Sequence, residues 1–251
     1  LSRADLAKRL KMSPTSMTRI YYDLKELNLI QEGEKQESQV GRKAIILRPN
    51  PDAFYSLGIL LRTDFISLMI LNYVGEVLYT KQFEMVVSNR PDETVNQVIF
   101  CIEKAKRNIN VDWDKVKSVG VSVPGIIKGN EGLVEKSNLF EWTQVPLGKM
   151  LEKRLRLPVI LETDVKASIM EEYEGNCEFQ VPHLGFLSLS LGLGAAFFKD
   201  GKLLRGAHGG CGEISHKLLV FKGRQCQCGK LGCAAAYLST HSILDQAEGL
   251  S

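Results

Sequence analysis

The sequence predicts an α/β protein in two parts: a small basic module of helices and a hairpin over residues 1–48, and a larger body over residues 52–251. Three observations lead there. The positive charge is concentrated near the start, the first fifty residues change from helical to strand periodicity, and later segments alternate β-rich runs with amphipathic helices. The 251 residues are 44% hydrophobic and 24% charged. These values exclude disordered, collagen-like and disulfide-rich miniprotein classes.

The charge distribution separates the two parts. Residues 1–50 carry ten basic and six acidic side chains, a net +4, so the rest of the chain sums to −1 of the total +3. A basic segment joined to a nearly neutral body is typical of an attached anion-binding module. A solvated basic face would give the same charge, so the charge alone leaves both interpretations open.

Two capping patterns predict the first two helices. Ser2 with Asp5 three residues later resembles a capping box, and Ser13 followed by Pro14 is a typical helix start. In the second helix, apolar residues at helical spacing predict the buried face: Met17, Ile20, Tyr21, Leu24 and Leu27.

Short hydroxyl side chains and an arginine occupy the opposite face of the second helix, at Thr15, Ser16, Thr18 and Arg19. Such side chains allow close approach to a DNA groove and can bond phosphates or base edges. We therefore expect these four residues to contact DNA.

Two strand-like runs, 29–31 and 44–47, follow that helix and enclose a polar loop ending in Gly41, Arg42 and Lys43. The order helix, turn, helix, basic hairpin is the layout of a winged helix-turn-helix, with Arg42 and Lys43 as wing contacts to DNA. Such a domain usually has a further helix before Ser2, and the absence of an initiating Met suggests that the true N-terminus is missing. Pro49, Asn50 and Pro51 predict the boundary after the module.

The body shows a mixture of strand and helix patterns. Strands are predicted at 55–61, 65–71, 76–86, 116–123 and 159–161, with two more within 184–198 and a turn at 72–75; helices are predicted at 92–107, 147–155 and 164–173. Crossover helices between strands predict an α/β fold.

A zinc site is predicted at His216, Cys226, Cys228 and Cys233, because one imidazole and three thiolates satisfy tetrahedral zinc. Four protein ligands leave no open position, so the single ion per chain would be structural. Disulfides compete with this interpretation, but Cys226 and Cys228 are too close in sequence to pair easily and no secretory signal is visible. Cys211 is a less natural fifth candidate. Cys101 and Cys177 are expected to be buried thiols.

The chain resembles the ROK family of repressors, uncharacterised frames and sugar kinases. The matching pieces are the winged segment ending at 41–44, the run 120–125, the run 137–139 with Trp142, the run 206–216 and the cysteine loop. The resemblance implies an actin-like ATPase (ribonuclease H-like) fold, with a first lobe at about 52–163 and part of a second at about 164–251, apparently truncated at the C-terminus.

The resemblance also separates kinase from sensor. ROK kinases carry an Asp and two glycines after the first strand for nucleotide phosphates, where this chain has Leu60, Arg62 and Thr63. An aliphatic side chain cannot support Mg²⁺, and two side chains obstruct backbone approach to phosphates. The second turn, with Gly192 and Gly194, is present and is interpreted as a strand bend. We therefore expect no enzyme activity.

The sugar side matches the family more closely. Asp164 is the counterpart of the family's general base, and Glu213, His216 and Asn138 match residues that contact sugar. Two positions depart from the family pattern, Thr163 in place of an Asn and Ala235 in place of a glutamate, which weakens the case for an ordinary hexose.

These expectations combine into a cytoplasmic DNA-binding transcriptional regulator, a repressor of carbohydrate genes, with a sugar or sugar phosphate as ligand and no membrane association. A homodimer or homotetramer is expected, because helix-turn-helix proteins read symmetric operators. Two alternatives stay open: an ATP-dependent ROK sugar kinase with an appended DNA-binding module, and a fold of this kind that senses a partner protein.

Overall fold

The computed structural model describes residues 1–36, 44–175, 181–189 and 192–249. It begins with two helices and an antiparallel strand pair: α1 (Arg3–Arg9), α2 (Pro14–Glu26), β1 (Ile30–Gln36) and β2 (Ala44–Pro49). The Ser2 hydroxyl accepts the Asp5 N–H, the Asp5 carboxylate accepts the Ser2 N–H, and the Ser13 hydroxyl accepts the Ser16 N–H. Both predicted helix starts are thereby confirmed. Arg42, Lys43 and Cys177 lie outside the described residues.

The predicted buried face of α2 is only partly correct. Met17 and Tyr21 are buried, whereas Ile20 is 37% and Leu27 is 66% exposed. Ile20 and Leu24 line an open groove of about 260 Å³ between α2, α1 and β2. The neighbouring elements are too short to cover the whole apolar stripe of the helix.

The body continues with fourteen longer elements and two short ones, in this order: β3 (Tyr55–Leu61), β4 (Phe65–Asn72), β5 (Val77–Glu84), α3 (Pro91–Asn108), β6 (Val116–Ser122), β7 (Ile126–Lys128), β8 (Leu133–Ser137), β9 (Trp142–Val145), α4 (Leu147–Leu155), β10 (Val159–Glu162), α5 (Asp164–Gly175), β11 (His183–Leu189), β12 (Leu193–Lys199), β13 (Lys202–Leu203), α6 (Ala235–Leu238) and α7 (Thr240–Glu248). The body strands and helices predicted from periodicity are confirmed to within about two residues at most ends. The sheet β7–β8–β9 and the helices α6 and α7 were not predicted.

A mixed five-stranded sheet organises the first part of the body, in the order β10-β6-β3-β4-β5. β10, β6 and β3 are parallel, whereas β4 and β5 add in antiparallel fashion. Since parallel strands end at the same edge, the residues that follow β3, β6 and β10 meet at one side of the sheet.

One face of this sheet forms the main core with α3 and α4. Val98, Ile102 and Leu151 from the helices are 0–1% exposed, as is Leu161 from β10. Ile160 was predicted to be buried but is 66% exposed. It points away from the helices, because successive strand residues face opposite sides.

A second, smaller core follows. The antiparallel sheet β11-β12-β13 packs on α5 through Ile169, Ala196 and Phe198. Tyr173 of α5 stacks on Phe198 with ring centroids 4.2 Å apart. Across the described residues, no helix has the length and apolar character needed to cross a bilayer.

Candidate functional site

A cleft of about 1050 Å³ lies where the carboxyl ends of β3 and β10 face the loop that carries Glu213. Asn138, Asp164, Glu213 and His216 all line it. The topology explains this convergence. Asp164 directly follows the parallel strand β10, and the 206–216 loop returns to β12 through a hydrogen bond from the Ala195 N–H to the Gly212 carbonyl.

Arg62 closes one side of the cleft. It lies in the tight turn between β3 and β4, where its N–H donates to the Phe65 carbonyl at 2.9 Å. Its Nη1 lies 3.4 Å from Oδ2 of Asp164, and the two side chains are 24% and 38% exposed. The sequence analysis did not identify this ion pair, because the partners are 102 positions apart and no local pattern connects them.

Lys166 is a charged residue of the cleft that the sequence analysis missed. It is 2% exposed, and its Nζ donates to the Gly209 carbonyl. A signal was present: Lys166 precedes the buried Ile169 by three residues and so shares its helix face. The Lys166 N–H donates to Thr163 Oγ1 at 3.3 Å, so Thr163 satisfies a backbone donor at the start of α5.

Glu213 is held by a loop whose backbone requires glycine. Gly212 has φ +91°, and a Cβ there would lie 1.7 Å from the Ala195 carbonyl oxygen. Although Glu213 is exposed by surface area, nearby protein atoms desolvate its carboxyl and raise its pKa. Lys166 opposes that rise in pKa, and Asp164 adds to it. The acid–base state of the cleft therefore depends on these three side chains together.

Ser137 and Asn138 form another part of the lining. Ser137 is 1% exposed, and its hydroxyl has no hydrogen-bond partner among the described residues. Asn138 next to it is exposed. An unpartnered buried hydroxyl is costly unless another group satisfies it.

The four predicted metal ligands come together beside the cleft. The donor atoms of His216, Cys226, Cys228 and Cys233 all lie within 4.8 Å of one another. The Cys228 and Cys233 sulfurs are 3.7 Å apart, and Cys226 Sγ lies 3.6 Å from His216 Nδ1. Tetrahedral zinc with bonds of about 2.3 Å to sulfur requires edges of about 3.8 Å, so the donor set fits that ion. Cys211 lies outside the group.

Two features of the cysteine loop support the cluster. Gly229 and Gly232 have φ of +85° and +78°, which lets the chain turn around the donors. Burial raises the pKa of Cys233 to about 11, so without a cation this thiol stays protonated at neutral pH. A bound divalent ion would favour the thiolate.

The predicted DNA-contacting residues of α2 are exposed on one side of the helix: Thr15, Ser16, Thr18 and Arg19. Thr18 Oγ1 donates to the Pro14 carbonyl at 2.8 Å, and Ser16 Oγ lies 2.9 Å from Ser13 Oγ. These hydroxyls still keep lone pairs that can accept from another molecule.

Similar proteins include two kinds of ROK protein. The xylose repressor of Caldicellulosiruptor bescii is 28% identical over 244 residues, which are 97% of this chain and 61% of the repressor. A crystal structure of a ROK family transcriptional regulator, a homologue of the E. coli Mlc protein, superposes with a TM-score of 0.83 and 28% identity over 100% of this chain and 63% of that one. This chain spans about three fifths of the length of these relatives.

A ROK family glucokinase from Streptomyces griseus, solved with glucose and AMPPNP, superposes with a TM-score of 0.67 and 24% identity over 78% of this chain and 60% of that one. At this identity the likeness concerns the fold alone. The body thus has a fold shared by ROK regulators and ROK kinases. The sequence profile of the ROK family matches residues 57–249, more than three quarters of the sequence, and the chain therefore belongs to the ROK family.

Proposed function

We propose that this chain is part of a DNA-binding transcriptional repressor in which a kinase-like body senses a sugar without catalysis. One observation carries the proposal: similarity to the regulator extends over the whole chain, whereas similarity to the glucokinase covers 78% of it. The remaining 22% is about the size of the segment that precedes the family match at residue 57. That segment contains α1, α2 and the β1–β2 hairpin, and we assign it as a winged helix-turn-helix over residues 1–48.

The exposed face of α2 is the proposed recognition surface, with Thr15, Ser16, Thr18 and Arg19 at the DNA and Arg42 and Lys43 in the wing. Arg19→Ala should weaken operator binding by about 1–3 kcal/mol if Arg19 reads a base. Arg107→Ala is the matched control, since it removes an exposed helical arginine from the body.

Selection from random duplexes with the intact protein would first identify the operator. Anisotropy titrations would then compare both variants on operator and scrambled DNA. Loss on the operator alone assigns base reading to Arg19, and equal loss on both DNAs with a shallower salt slope assigns a phosphate contact. If the protein binds no duplex even at low salt, the proposed function is wrong.

The cleft is the proposed sugar site, with hydrogen bonds from ligand hydroxyls to Asp164, Glu213 and Asn138 and a contact to His216. Carboxylates without a reaction to perform can still accept such bonds. Because a relative is named a xylose repressor, D-xylose is the first ligand to test by calorimetry. A sugar that binds should also change the affinity for operator DNA, since linkage requires both effects.

Zinc is the proposed occupant of the His216, Cys226, Cys228 and Cys233 cluster, with a structural role and one ion per chain. Its chemistry there is to hold the cysteine loop against His216, and thus to fix the neighbouring wall of the cleft. Elemental analysis should give about one zinc per chain. A folded protein without metal would contradict this assignment.

A sugar kinase is the second candidate, because the fold is shared with ROK glucokinase. Leu60, Arg62 and Thr63 argue against it, since they stand where the family's phosphate turn needs a carboxylate and two glycines. An ADP-release assay over pentoses, hexoses and N-acetylhexosamines decides, and sustained turnover would favour the kinase. Sedimentation velocity tests the proposed homodimer or homotetramer in the same preparation.

A further inference from the structure

The charges of the cleft balance in pairs. Asp164 is paired with Arg62, and Lys166 is buried beside the same cleft as Glu213. At the rim, Arg224 and Asp245 add one charge of each sign. The cleft therefore holds as many cations as carboxylates, and its histidines are neutral at pH 7.

The two inner cations are already engaged. The Arg62 guanidinium contacts the Asp164 carboxylate at 3.4 Å. The Lys166 ammonium donates to the Gly209 carbonyl and is 2% exposed, so it acts on Glu213 from within the protein rather than on a ligand in the open cleft. Lys166 is therefore a positioning residue.

The polar group that lacks a partner in the cleft is uncharged. Among the buried side-chain atoms without a hydrogen bond in the described residues, the one that lines this cleft is the Ser137 hydroxyl. A hydroxyl both donates and accepts, and this matches the hydroxyl of a sugar. It offers no charge to balance a phosphate group.

We propose that Arg62 and Lys166 make this cleft selective for uncharged sugars over their phosphate esters; this rests on the proposed sugar-sensing function. A phosphate ester carries close to two negative charges at pH 7. In the cleft it would meet Asp164 and Glu213 and no cation that is free of a carboxylate or carbonyl partner. Three zinc-bound thiolates would add a further net negative charge nearby. An uncharged sugar meets none of this repulsion.

Calorimetry on the intact protein provides the test, with D-xylose and D-glucose compared with D-xylose 5-phosphate and D-glucose 6-phosphate. We expect the uncharged sugar to bind at least about 10-fold more tightly than its ester, which corresponds to 1.4 kcal/mol. Tighter binding of either ester would overturn the inference while leaving sugar sensing intact. Binding of none of the four would count against the sugar-sensing function itself, and the inference would fall with it.

Three variants separate charge from folding. Arg62→Gln removes a cation and should widen the preference at least about 3-fold, Arg62→Lys should restore it, and Glu213→Gln should narrow it. A purely structural role for Arg62 would lower the affinity for both ligands equally and leave their ratio unchanged. That unchanged ratio, in variants with the wild-type circular dichroism spectrum, would also overturn the inference.

Discussion

The two walls of the cleft are built by different means. The turn that holds Arg62 and Thr63 uses no residue with positive φ and is closed by its own backbone hydrogen bond. The opposite wall depends on three glycines at positive φ, Gly206, Gly209 and Gly212. Glycine is needed where the backbone itself must approach another group. One wall thus tolerates side chains and carries an ion pair, whereas the other is fixed by backbone contacts beside the metal ligands.

The largest effect should come from adding one methyl group to the glycine-dependent wall. Gly212→Ala places a Cβ 1.7 Å from the Ala195 carbonyl at φ +91°, so the loop or β12 must move. We expect a loss of about 3 kcal/mol of unfolding free energy, measured by urea denaturation. Gly120→Ala in β6 is the control, because nothing lies within 4 Å of its added Cβ. Equal losses in both variants would show that the contact with Ala195 is not the cause.

Metal removal should be the next largest effect and should be confined to the same wall. With zinc bound as proposed, the site contributes on the order of 10 kcal/mol to local folding. Chelation should therefore expose the 217–232 segment to protease while the five-stranded sheet keeps its hydrogen-exchange protection. Unchanged cleavage after complete removal of the ion would show that the loop stands without it.

The sequence predicted this second wall better than the first. Spacing alone brought Cys226, Cys228 and Cys233 together with His216, because ligands within a short loop have few ways to be arranged. The pairing of Arg62 with Asp164 was beyond reach, since it depends on how β3 and β10 align in the sheet. Periodicity likewise located the body helices but could not tell that β10 has one uncovered face, which leaves Ile160 exposed.

The ion pair on the first wall should matter little for stability. Both partners are partly exposed, and solvent screens such pairs to about 0–1 kcal/mol. Arg62→Gln should therefore change the urea midpoint only slightly while changing ligand selectivity. A loss comparable to that of Gly212→Ala would mean that the Arg62 turn is a structural support like the opposite wall.

The smallest effect should be a pH-dependent one at Glu213. Its pKa in the folded chain is raised, chiefly by burial, above the ordinary value of 4.5. Between those two values the folded state binds more protons than the unfolded state, so this carboxyl lowers stability as the pH rises through that window. Glu213→Gln removes the charge and should stabilise the protein above the window by no more than about 0.5 kcal/mol, since solvent screens this exposed side chain. Urea denaturation at pH 4 and pH 7 should show the benefit only at pH 7, because the wild-type carboxyl is largely protonated at pH 4. A benefit of equal size at both pH values would place its origin in packing and remove burial of the charge as the cause.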